Sequence, residues 1–435
     1  MASTYITKTP SSTTNQKTWT VSCWVKRSLL SSNQMVWGVN GDSSGNYFTE
    51  LLFTGSDRLE FRQGGTVGDP YQTQMETNAQ YRDTNGWYHI VIASDTTQGT
   101  EANRLKMYVN GEQITSFATA NYPSQNENFR WHYTGYAHSI GRSGQDNARY
   151  FDGIISHFHN IDGTQYQASD FGETDATTGE WKIKTAPSLT YGSFGTFLLK
   201  DGNSVTDQSG QGNNWTVGGG TLTKTEDCPS NVFATWNSLS AGSNMAFTFG
   251  NTGIRNDVAT WNSGVSTLAM GTGKYYWEVY VHGGGDNNTG VSLSSAYGGT
   301  HSEVDAGRVV YSRNGYIYRE GLSGQSNYST GVTYGDGDYI GVAFDTENGV
   351  LTFYKNGSAV SNGSTTDTSF LRTNTEYIVQ CGLYNGGEFR FNFGNGAFGS
   401  TQLTGTTYQG DGNIGIFKYQ PPTGYTALST KGLNQ

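Results

Sequence analysis

Thr18-Trp19-Thr20-Val21-Ser22-Cys23-Trp24-Val25-Lys26 sets Trp19, Val21, Cys23 and Val25 on one side of an extended chain and Thr20, Ser22, Trp24 and Lys26 on the other. Successive side chains of a strand point to opposite faces, so this period of two predicts a half-buried strand with one face turned to a core. The same alternation recurs further on, where Tyr88, Ile90 and Ile92 oppose His89, Val91 and Ala93. Leu105, Met107 and Val109 then run into Asn110-Gly111. Asn-Gly between alternating segments is a strong hairpin signal, because both residues tolerate the positive φ of a two-residue turn.

The second half repeats the pattern. Tyr275, Trp277, Val279 and Val281 alternate with Tyr276, Glu278 and Tyr280, and Ile340, Val342 and Phe344 form another inward set. Leu351-Thr352-Phe353-Tyr354 feeds a second Asn-Gly turn at Asn356-Gly357. Helical periodicity is nearly absent, and short segments bounded by Gly, Asn, Asp and Ser recur from end to end, as in antiparallel β structure. At 435 residues the chain exceeds one core's usual reach. The expected fold class is therefore all-β, with two antiparallel β-sandwiches in tandem at 1–200 and 236–395. A Gly-rich connection at 201–235, containing Gly218-Gly219-Gly220, joins them. Residues 396–435, with Gln420-Pro421-Pro422, read as an extended arm.

Composition narrows the function. Charged residues make up only 14%, while 10 Trp, 28 Tyr and 21 Phe supply packing surface, so the chain should fold. A net charge of −10 with no basic stripe argues against nucleic acid as a partner. No run of 18 apolar residues exists, and residues 1–17 lack an apolar signal core, so membrane insertion and classical secretion are not expected. Cys23, Cys228 and Cys381 are odd in number and far apart, and read as free thiols.

Two resemblances enter on these residues. The opening strand, Gly86-Trp87-Tyr88-His89-Ile90-Val91, Leu105-Lys106-Met107-Tyr108-Val109-Asn110-Gly111 and Phe151-Asp152-Gly153-Ile154-Ile155 resemble laminin-G-like, concanavalin-A-like modules. Lys274-Tyr275-Tyr276-Trp277-Glu278-Val279, Gly337-Asp338-Tyr339-Ile340-Gly341-Val342-Ala343-Phe344-Asp345 and Leu351-Thr352-Phe353-Tyr354-Lys355-Asn356-Gly357 resemble a SPRY domain. Both resemblances imply jelly-roll sandwiches used for recognition. The tandem order, with Gly210-Gln211-Gly212-Asn213-Asn214-Trp215 and the Pro-Thr-Gly-Tyr tail, is similar to proteins of marine bacteriophages. That similarity implies a virion component (tail fibre, tail or capsid fibre) binding a host surface glycan or protein, with other virion proteins as partners. Homo-oligomerisation, threefold in many fibres, would multiply weak sites. The rival readings are a purely structural capsid-decoration or tail-assembly protein, and a carbohydrate-processing enzyme.

The residues themselves favour binding over catalysis. No Glu-x-Asp-x-x-Glu or Glu-x-x-x-Glu spacing lies within a strand, and Glu278 and Asp345 stand singly. A glycosidase needs two carboxylates flanking one bond, so no catalytic residue is assigned. His157-Phe158-His159 would place two imidazoles on one strand face without a third ligand. Gly394-Asn395-Gly396-Ala397-Phe398-Gly399 reads as a Gly-rich turn. No cofactor is expected unless Ca²⁺ sits on Asp42, Asp69 and Asp146, residues that turn propensity explains equally. Candidate ligand-binding rings, outside clean inward strand positions, are Trp131, Tyr133, Tyr297, Tyr316, Tyr318, Tyr328 and Tyr384.

Overall fold

The computed structural model describes residues 3–39, 47–64, 71–144, 148–200, 204–294, 307–320, 326–366, 371 and 376–435. The chain divides into two compact units, residues 1–222 and 223–435. Each unit is an antiparallel β-sandwich with its own core.

In the first unit Thr18–Arg27 lies in a sheet with Gly153–Asp162 on one side and Tyr88–Asp95 on the other. The facing sheet runs from Phe117–Asn121 through Thr73–Gln80, Arg58–Gln63, Thr49–Phe53, Gln34–Val39 and His138–Ile140 to Tyr5–Lys8 and Thr216–Gly219. Trp19, Val21, Cys23 and Val25 meet Trp37, Leu51, Phe53 and Phe61 between the sheets. Asn110 and Gly111 take φ of 50° and 88° in the hairpin joining Leu105–Val109 to Glu112–Gln113.

Two expectations fail in this unit for physical reasons. Thr18–Arg27 is buried on both faces, because residues 166–191 fold over its outer side. Trp24 stacks on His89 at 4.8 Å, and Trp181 stacks on His89 at 5.9 Å. Trp215 and Thr216–Gly219, expected in the connection, belong to the first sandwich and close its sheet against Tyr5–Lys8. The glycines there admit a ring, since a Cβ on Gly218 would lie 2.2 Å from the Tyr5 side chain.

In the second unit Lys274–His282 is central, paired with Tyr339–Asp345 and Gly387–Asn392. Its inward residues Trp277, Val279 and Val281 pack with Phe344, Phe353, Phe389 and Phe391. The opposite sheet contains Asn262–Met270, Tyr377–Leu383, Asn287–Leu293, Arg308–Ser312, Tyr316–Glu320 and Tyr328–Ser329. Asn356 and Gly357 form the second hairpin turn with φ of 49° and 81°.

The expected extended arm is folded back. Ile414, Phe417 and Ala427 bury against Phe233, Tyr276 and Ala343, and Thr426–Ala427 pairs in parallel with Tyr275 and Tyr276. Tyr276 and Glu278 point away from the core, so their face of the sheet needed an apolar cover. Ile414 and Phe417 supply it.

Candidate binding surfaces

Of the ring residues expected in the first unit, Trp131 is corrected to the core. It is fully buried, its ring lies 4.5 Å from that of Trp37, and its indole N–H donates to Asn160 Oδ1 at 2.8 Å. The segment carrying it turns inward and takes Phe129 with it. Tyr133 stays half-buried, stacked against the Arg130 guanidinium at 5.3 Å and against Tyr136 at 5.4 Å. Asp42, Asp69 and Asp146 lie outside the described residues. Among the described residues no group of three or more His, Cys, Asp or Glu side chains converges for a metal.

The imidazoles of His157 and His159 do not form a pair. His157 has φ of 47° at a register shift and contacts the Ser156 hydroxyl at 2.7 Å. His159 is buried, stacked on Phe197 at 4.0 Å and bonded to the Tyr191 hydroxyl.

On the outer face of the larger sheet two carboxylates, Glu50 and Glu60, turn to one guanidinium. Arg62 Nη2 and Nε donate to Glu50 Oε2 at 3.1 and 3.2 Å, and Arg62 Nη1 lies 3.7 Å from Glu60 Oε2. Ser143 donates to Glu50 Oε1 and Gln74 to Glu60 Oε1.

In the second unit Tyr297 lies outside the described residues. Tyr316 and Tyr318 alternate with core Ile317, so both rings stand on the outer face, 6.1 Å apart. Tyr316 is 42% exposed. Asn314 fixes the pair, donating to the Tyr318 hydroxyl at 2.8 Å and accepting from the Tyr316 N–H at 3.0 Å. Tyr328 stands opposite Ile317 and packs on the core, with its hydroxyl on Thr365 and Ser364. Tyr384 is half-buried beside Trp261 at 5.6 Å. The structure thus brings Tyr316 and Tyr318 together on one outer face, turns Tyr328 to the core and sets Tyr384 beside Trp261.

A concavity, missed by local sequence patterns, lies where the folded-back segment meets the sheet. Tyr339, Phe398, Thr401, Gln402, Leu403, Thr404, Thr406, Thr407, Lys418 and Tyr419 enclose a cavity of about 210 Å³. Glu278 holds its far wall. Its carboxylate accepts the backbone N–H of Lys418 at 2.9 Å and of Tyr419 at 2.7 Å, the Asn392 amide at 3.1 Å and the Tyr276 hydroxyl at 3.3 Å. Burial outweighs these four donors and pushes Glu278 up to about 7. The Tyr419 ring lies over Gly357, where a Cβ would come within 2.4 Å of it. The signal available in sequence was Glu278 itself, a carboxylate on a strand whose other polar-face neighbours, Tyr276 and Tyr280, are aromatic.

Residues 1–169 match the family model of the concanavalin A-like lectin/glucanases superfamily, and residues 274–396 match that of the SPRY domain. The chain joins a concanavalin A-like domain to a SPRY domain. No curated protein matches it. Similar solved structures include the SPRY domain of human HERC1, 17% identical over 36% of this chain and 96% of that one, with a TM-score of 0.29. The TRIM65 PSpry domain is 12% identical over 37% and 88%, with a TM-score of 0.28. The native heptameric SAP-like pentraxin from Limulus polyphemus is 13% identical over 38% and 71%, also at 0.28. Tyr316 and Tyr318 lie inside the SPRY match. Of the residues lining the cavity, only Tyr339 does; Phe398 to Tyr419 lie beyond it.

Proposed function

We propose that the chain is a non-catalytic recognition protein of a phage virion surface, binding a host glycan or protein. Exposed Tyr316 beside Tyr318 is the observation that carries this reading. Two large rings on the outer face, one with its hydroxyl and the other with its backbone N–H held by Asn314, add nothing to the core, and a rigid ring anchors a partner at little entropic cost. Both domain types are typically binding modules. The Glu50–Arg62–Glu60 cluster supports a non-catalytic first domain, because its carboxylate oxygens are already engaged by Arg62, Ser143 and Gln74. The virion setting rests on the similarity of the tandem order to phage proteins.

Fluorescently labelled full-length protein, incubated with candidate host bacteria, should bind saturably and be competed by soluble surface glycan or extracted surface protein. The double variant Tyr316→Ala/Tyr318→Ala should bind about tenfold or more weakly, the loss expected for central aromatic anchors. Undiminished binding of that variant would remove the surface from consideration, and absence of the protein from purified particles would refute the virion setting.

A further inference from the structure

We infer that the cavity walled by Tyr339, Phe398, Lys418 and Tyr419 binds a single acidic sugar ring, a hexuronate. Three kinds of group converge there. The rings of Tyr339, Phe398 and Tyr419 stand in an angled cluster, with Tyr339 5.0 Å from Phe398 and 6.0 Å from Tyr419. Half-buried Tyr339 and Tyr419 beside buried Phe398 give the cavity an apolar wall suited to the C–H side of a pyranose. Exposed Thr401, Thr404, Thr406 and Thr407 carry hydroxyls able both to donate to and to accept from sugar hydroxyls, and Gln402, whose Oε1 accepts the Lys224 N–H at 3.1 Å, adds an amide donor.

The third element is charge. Among the described residues lining the cavity Lys418 is the one that is charged, with Nζ 4.7 Å from the Tyr339 centroid and 5.6 Å from that of Tyr419. Among the described residues no carboxylate lies within ion-pair distance of it; nearby Asp338 pairs with Lys355 instead. An ammonium resting on two ring faces with no internal counter-ion is complementary to a ligand carboxylate. The cavity is smaller than the about 300–1,000 Å³ typical of drug-sized sites, which suits one ring rather than a chain.

This inference deepens the recognition reading by naming a ligand class, yet it stands on residues separate from Tyr316 and Tyr318. Full-length protein would be titrated by saturation-transfer NMR with methyl glucuronide and methyl galacturonide, the corresponding neutral glucoside and galactoside, and acetate. The uronides should bind at least tenfold more tightly than the neutral glycosides, with acetate silent. Lys418→Gln should bring the uronides down to the neutral level with thermal unfolding unchanged, since Glu278 holds the backbone N–H of Lys418 and not its side chain. Thr404→Val/Thr406→Val should weaken uronides and neutral glycosides alike. Equal binding of neutral and acidic sugars, uronide binding indifferent to Lys418→Gln, or no uronide binding would each overturn the inference. Tyr316→Ala/Tyr318→Ala should keep uronide binding intact, so the failure of either proposal is visible separately.

Discussion

On acidification from about pH 8 to about pH 5, Cys23 is expected to become more reactive toward an alkylating reagent and Cys381 less so, each rate being divided by that of a free thiol at the same pH. Both thiols are fully buried, one in each domain, so each reports the opening of its own sandwich. In the first domain the controlling groups are buried histidines that must stay neutral. His89 Nδ1 accepts the Trp181 indole N–H at 3.0 Å, and His138 Nε2 accepts the His132 backbone N–H at 2.9 Å. A proton on either nitrogen would face another N–H, and burial already lowers both groups to about 3. Burial lowers His132 and His159 as well.

A base whose folded pKa is depressed contributes stability above its unfolded pKa, about 6.5, and loses it as the pH falls. At pH 5 the loss is about 2 kcal/mol each for His89 and His138, together enough to raise Cys23 labelling about a thousandfold. Glu278 works in the opposite sense. An acid whose folded pKa is raised from 4.5 to about 7 contributes stability that is full below 4.5 and lost as the pH rises through 7. Between pH 8 and pH 5 it adds about 2–3 kcal/mol to the SPRY domain. Parallel changes at the two cysteines would show that these groups do not govern opening.

Replacing Glu278 should release the segment that carries the cavity wall. Glu278→Ala leaves the N–H groups of Lys418 and Tyr419 without an acceptor in a buried place, at a cost of about 2–5 kcal/mol. Glu278→Gln, though isosteric, keeps only one acceptor oxygen and sets its NH₂ against two of the four donors, so it too should destabilise, by about half as much. Three readouts follow together: rapid proteolysis between residues 403 and 426, loss of uronide binding, and disappearance of the pH dependence at Cys381 while that at Cys23 persists. A Glu278→Gln protein that retains protease resistance and the Cys381 profile would show that Phe417 and the Thr426–Ala427 pairing hold the segment without the carboxylate.

What the sequence disclosed was local. Period-two alternation in Thr18–Arg27 and Lys274–His282, and the turn chemistry of Asn110-Gly111 and Asn356-Gly357, are decided by neighbours a few residues away, and the sandwiches are built on them. Trp131 was hidden, because nothing in its immediate surroundings distinguishes a loop that turns into the core from one that stays outside. The cavity was hidden for a related reason. Alternation places Tyr276 and Glu278 on one face, but the residues covering them stand about 140 positions later. Tyr316 and Tyr318 were legible because their exposure follows from parity with Ile317 alone.

The parallel pairing of Tyr275 and Tyr276 with Thr426 and Ala427 also sets a timetable. During synthesis at about 5–20 residues per second, strand Lys274–His282 leaves the ribosome roughly 8–30 s before its parallel neighbour exists. Over that interval Tyr276, Ala343 and the Glu278 carboxyl remain bare to solvent and to chaperones. The concanavalin A-like domain has a longer wait of its own, since Tyr5–Lys8 gains its partner Thr216–Gly219 only about 210 positions later, but that domain is complete before the second half is made. The nascent chain therefore matures in two stages, and the later stage is timed by residues 414–427 rather than by the domain's own first strands.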